Sequence, residues 1–116
     1  MNYWIQNLVP YGSPEEIGVI QLAWLGDSIW ELHQRLNYVH LPLKSKELHL
    51  SVVNEVKAES QSKSLGQIEH LLNANEMDLI RRARNKTKRF PKSSDPTIYS
   101  RATGFETLIG WLFLKD

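Results

Sequence analysis

Cysteine is absent from the chain, which excludes disulfides and cysteine-ligated metals and makes a reducing compartment the expected setting. Long apolar runs are absent too: none approaches the ~20 residues of a membrane span, so no membrane partner is expected. The first residues, Met1-Asn2-Tyr3-Trp4-Ile5, lack the basic start and extended apolar core of a secretory signal. The expected location is therefore the cytoplasm, or an organelle stroma in a eukaryote. The histidines (His33, His40, His49, His70) have no metal-like grouping, and no internal repeat or low-complexity stretch occurs. What remains is a chain of 116 residues, 41% apolar and 23% charged. That suits one globular domain with a single core, 1–116, preceded by an irregular arm over 1–12.

A net charge of +1 conceals a strong segregation. Residues 1–80 carry five bases against ten acids, whereas 81–92 carry seven bases (Arg81, Arg82, Arg84, Lys86, Lys88, Arg89, Lys92) and no acid. Half of all the bases thus fall within one short stretch. Such a run is either a solvated basic loop or a footprint for a polyanion.

Hydrophobic spacing is helical almost throughout, with no convincing strand. Ser13-Pro14-Glu15-Glu16 reads as a helix start, with Ser13 as N-cap and Glu16 completing a capping box. That helix is expected to continue through an apolar stripe at Leu22, Leu25, Ile29 and Leu32 to about Tyr38. His40-Leu41-Pro42-Leu43 is a loop. A short helix near 44–49 and a longer one from about 51 to 72 follow, with Gly66 as a point of interruption. Asn75 is expected to cap a helix ending near Asn85, residues 86–94 to form a basic loop, and Asp95-Pro96 to open a last helix running to Leu114. The fold class is all-α.

Two acids stand out against this apolar pattern. Asp27 lies between Gly26 and Ser28 in the first long helix, with Glu31 one turn on. Glu106 is the one acid of the nearly all-apolar last helix before Asp116, with Thr103 and Gly110 on its face. Small residues beside each acid permit two helices to approach closely and bring Asp27 and Glu106 together. Paired carboxylates repel unless a proton or cation lies between them, and a hard cation such as Mg²⁺ suits such a pair. The alternatives are an amphipathic helix whose Asp27 and Glu31 face water, and a Glu106 satisfied by one of the many bases.

Leu22-Ala23-Trp24-Leu25-Gly26-Asp27-Ser28-Ile29-Trp30-Glu31-Leu32 resembles the signature helix of the ribonuclease III family. Thr103-Gly104-Phe105-Glu106-Thr107-Leu108-Ile109-Gly110 resembles the family's second acidic motif. Arg84-Asn85-Lys86, Pro91-Lys92, Tyr99 and the block ending Trp111-Leu112-Phe113-Leu114 resemble the Mini-ribonuclease III subfamily, which lacks a double-stranded-RNA-binding domain. The likeness runs from about Gln21 to Leu114. Full-length ribonuclease III enzymes have further acids where this chain has Ile20, Ala23 and Thr103, a reduction the subfamily shares. Subfamily members also extend beyond the position of Asp116.

The resemblance implies a ribonuclease III-like helical domain of roughly five to seven helices. It implies a Mg²⁺-dependent endoribonuclease cleaving double-stranded RNA, acting on 23S-type ribosomal RNA precursors. Asp27 and Glu106 would be both the catalytic and the metal-binding residues. RNA would be bound by Arg81, Arg82, Arg84, Asn85, Lys86, Lys88 and Lys92, since an A-form duplex is read through phosphates and 2′-hydroxyls. The family's symmetric dimers imply a homodimer with Trp24 at its interface, and a ribosomal protein is a candidate helper. The alternative for Trp24, Trp30 and Trp111 is a place in the core. The alternative function is a non-catalytic RNA-binding or scaffold protein on the same fold.

Overall fold

The computed structural model describes residues 13–56, 58–89 and 95–115, with the side chains of 51–56 not described. The expected arm over 1–12, Lys92 and the end of the basic loop lie outside these residues. Five α-helices form the described fold: α1 (Val19–Tyr38), α2 (Ser45–Val56), α3 (Ala58–Ile68), α4 (Ala74–Lys86) and α5 (Pro96–Lys115). Single 3₁₀ turns occupy Pro14–Glu16 and Glu69–Leu71. No strand is present among the described residues.

Helix α5 is the axis of the domain and packs against α1, α3 and α4, while α2 bridges α1 and α3. Its apolar circumference demands this, because a helix without a polar face must be covered on several sides. One core cluster joins Val19 and Leu22 of α1 to Leu79 and Ala83 of α4, with Ile17, Trp111 and Leu114 around it. A second joins Leu65 of α3, Ile80 of α4 and Phe105 and Leu108 of α5. Trp30 of α1 meets Phe105 edge-on at 5.0 Å between ring centroids. Arg101 of α5 clips α3 in place, donating from Nε to Ser62 Oγ at 3.1 Å and pairing with Glu69.

Helix starts differ in detail from the sequence reading. Ser13 and Pro14 open a 3₁₀ turn without a side-chain cap, and Ile17 and Gly18 turn extended before α1 begins at Val19. The chain kinks there as Ile17, half-buried, packs against the core cluster of α1 and α4. The α4 cap is Asn73, not Asn75: its side chain accepts from Glu76 N while Glu76 accepts from Asn73 N, a reciprocal capping box. The described helix from Ser45 runs through Val56 without the interruption expected near 50, and α3 runs through Gly66. Asp95 does cap α5, accepting from Thr97 N at 2.8 Å.

The stripe Leu22, Leu25, Ile29, Leu32 is not the buried face of α1. The buried positions are Val19, Leu22, Ala23, Gly26 and Gln34. Leu25 and Ile29 are half-buried, and Leu32 is exposed. No described helix is long and apolar enough to cross a membrane.

Candidate functional site

Helices α1 and α5 touch backbone to backbone. A Cβ on residue 26 would lie 1.8 Å from the Glu106 carbonyl oxygen, and one on residue 110 would lie 2.1 Å from the Leu22 carbonyl oxygen. Only glycine fits either place, and the two glycines face each other across the crossing. Thr107, fully buried one residue past Glu106, donates from Oγ1 to Val19 O at 2.8 Å and pins the same contact. The crossing carries Asp27 and Glu106 into hydrogen-bonding contact, although 79 positions separate them in the chain.

Burial pushes the Glu106 carboxyl up to about 8, and the hydrogen bond and charge of Asp27 push the same way. The Gln61 amide opposes this, with Nε2 donating to Glu106 Oε2 at 3.4 Å. Near neutral pH, then, Glu106 keeps its proton in the absence of a cation. A cation placed there would take the proton's role. The described residues hold no cluster of three or more acids, histidines or cysteines able to ligate a metal. Two carboxylates of this kind fit a hard divalent ion that keeps several waters, not one caged by protein.

Asp27 and Glu106 line a cleft of about 390 Å³. Lys86, at the end of α4, and Lys88 and Arg89 beyond it line the same cleft, so cations share it with the acid pair. Trp24, Tyr99 and Thr103 complete its polar and aromatic wall, with Ile20 and Ala23 beside them. Thr103 Oγ1 is occupied, donating to Tyr99 O at 3.1 Å. Trp24 is 81% exposed. A second groove of about 270 Å³, lined by Arg35, Tyr38, Val39, Ser45, Leu48 and His49, lies at the junction of α1 and α2 and holds no acid pair.

The residues singled out from sequence therefore separate into groups. Asp27, Glu106, Trp24, Lys86 and Lys88 share the cleft. Arg81 and Arg82 pair with Asp78 along α4, at 2.5 and 3.1 Å. Arg84 donates to Ser100 Oγ at 3.2 Å, and Asn85 lines two other depressions along α4. Glu31 pairs with Arg35 at 2.7 Å on the exposed side of α1. Gln61 stands at the site without having been picked out, whereas Arg89 and Tyr99 were named only in the basic run and in the family resemblance. A signal for Gln61 existed: it lies four residues before Leu65 on the face that also carries Ile68, and a polar residue on an apolar face needs a partner.

The profile of the Ribonuclease III domain matches residues 20–116. A Mini-ribonuclease 3 of Synechococcus sp. is 42% identical over 95 residues, spanning 82% of this chain and 69% of that protein. A Mini-ribonuclease 3 of Synechocystis sp. is 34% identical over 115 residues, spanning 97% of this chain and 80% of that protein. Among solved structures, a Fusobacterium nucleatum protein superimposes with a TM-score of 0.80 at 33% identity, covering 86% of this chain and 83% of that one.

Proposed function

The chain belongs to the ribonuclease III family and is an endoribonuclease, and we propose that it hydrolyses double-stranded RNA at the cleft between α1 and α5, with Asp27 and Glu106 holding Mg²⁺. The observation that carries this reading is the meeting of those two carboxyls in a cleft shared with Lys86, Lys88 and Arg89. When bound, the ion supplies an acidified water and neutralises charge on the phosphate under attack. Asp27 and Glu106 fix its place. Lys86, Lys88 and Arg89 attract the phosphodiester backbone and hold it against the acid pair. Arg81, Arg82, Arg84 and Asn85 extend the polar, mostly basic surface along the duplex beyond the cleft, and Lys92, outside the described residues, belongs to the same proposed RNA-binding set.

Two cuts across a duplex require two centres, so the working form in this reading is a homodimer with Trp24 at its interface. Its support is an apolar stripe left open on α1: Leu25, Ile29, Leu32, Leu36 and Val39 follow helical spacing, and the last three are exposed. The substrate in the cell is a 23S-type ribosomal RNA precursor, presented with or without a ribosomal protein, and the enzyme works in the cytoplasm.

Labelled duplex and single-stranded RNA, incubated with the protein with and without Mg²⁺, test the reading. The expected result is cleavage of the duplex alone, only with Mg²⁺, and its loss in Asp27→Asn and Glu106→Gln. Duplex binding without cleavage would leave a docking protein instead. Cleavage unaffected by either substitution would remove the acid pair from the chemistry.

A further inference from the structure

The acid pair leans on a third helix. Gln61 of α3 is only 3% exposed, yet it carries a full amide. Its Nε2 is directed at Glu106 Oε2, across the packing of α3 against α5. A buried amide is costly unless bonded, so its side chain is held by this contact as much as it holds the carboxylate. The register of the two helices is fixed independently one step away, where Arg101 bonds Ser62 through Nε and pairs with Glu69. Leu65, one turn on from Gln61, is buried in the core cluster with Phe105 and Leu108. Glu106 is thus braced from α3 while it reaches Asp27 on α1.

The choice of donor matters. A lysine or arginine at position 61 would also bond the carboxylate, but its charge would neutralise it and compete with any cation in the cleft. A glutamine orients one oxygen and leaves the negative charge available. We propose that Gln61 is a positioning residue that sets the orientation of Glu106 for divalent-cation binding. The inference rests on the metal-dependent reading above. It concerns a residue that touches neither the ion nor the RNA, so its effect passes through Glu106.

The test uses the RNA-free protein and Mn²⁺ as the probe, titrated by calorimetry, with thermal unfolding in chelator measured alongside. Gln61→Met keeps the side-chain volume and removes the donor, and Gln61→Leu serves if that variant does not fold. Expected are an unfolding temperature in chelator close to that of the unmodified protein and Mn²⁺ affinity reduced by about 10–100-fold. In steady-state cleavage of duplex RNA, kcat should fall while KM holds. Unchanged Mn²⁺ affinity would overturn the proposal and leave the metal reading intact. A lowered unfolding temperature with unchanged affinity would overturn it as well, making Gln61 a packing residue. If the unmodified protein binds no Mn²⁺, this proposal and the metal reading fall together.

Discussion

Along α1, Val19, Leu22, Ala23 and Gly26 are buried, those ahead of Gly26 in or beside the core and Gly26 itself against α5, whereas Leu32, Leu36 and Val39 are 54%, 61% and 68% exposed. Both sets follow helical spacing, and both are apolar. The first is covered by the chain itself because two glycines let α5 approach within backbone contact. The second has no such partner within the described residues. Periodicity identifies an apolar face but not what covers it, and the site owes its existence to the covered half alone.

The covered half should be the more fragile. Gly26→Val forces a side chain into the Glu106 carbonyl; a loss of more than about 3 kcal/mol, or failure to fold, is expected in urea titration. A near-neutral result would mean the helices can separate freely, and the crossing would not be what unites the acids.

A smaller effect is expected within the same crossing from pH. Glu106 in the folded protein titrates near 8, above its ordinary 4.5, so the folded state binds its proton more tightly than the unfolded one. That contribution to stability is complete below about pH 4.5 and is lost as pH rises through about 8. Unfolding followed in chelator should weaken across this window, and Glu106→Gln should flatten the decline, gaining roughly 1–3 kcal/mol at the alkaline end. Mg²⁺ should reverse the trend, because it replaces the proton. An equal slope in both proteins would place the titration elsewhere.

On the open half, Leu36→Glu should change unfolding of dilute protein by no more than about 0.5 kcal/mol. Its expected effect is on mass: light scattering should report a dimer for the unmodified protein and a monomer for the variant. Identical masses would separate the stripe from self-association. The gentlest perturbation lies on the rim of the cleft. Lys88→Ala and Arg89→Ala should leave stability unchanged and lower the salt dependence of duplex binding by about one unit of logarithmic slope for each charge removed.

Much of the fold was legible because its signals are local. Asp95-Pro96 marks the start of α5, and the apolar circumference from Phe105 to Leu114 marks its central place. Asp27 and Glu106 were legible as odd carboxylates beside small residues, and their motifs carried a family resemblance. Less legible were features decided by tertiary contact. Ser13 offers a good cap, but the chain turns extended at Ile17, which packs half-buried against the core cluster. Asn73 and Asn75 compete as caps, and the partner at Glu76 decides for Asn73. Gln61 shares a helix face with Leu65 and Ile68, which hints at burial, but its partner Glu106 follows only from how α3 lies on α5. The basic run looks uniform in sequence, yet Asp78 engages Arg81 and Arg82 while Lys86, Lys88 and Arg89 turn to the cleft.

The central claim is that Asp27 and Glu106 hold a divalent cation in the cleft, and anomalous diffraction from crystals soaked in Mn²⁺ addresses it directly. The predicted result is a peak in the cleft within coordination distance of carboxylate oxygens of both residues. A peak ligated by neither acid, or none in the cleft with Mn²⁺ bound elsewhere on the protein, would contradict it.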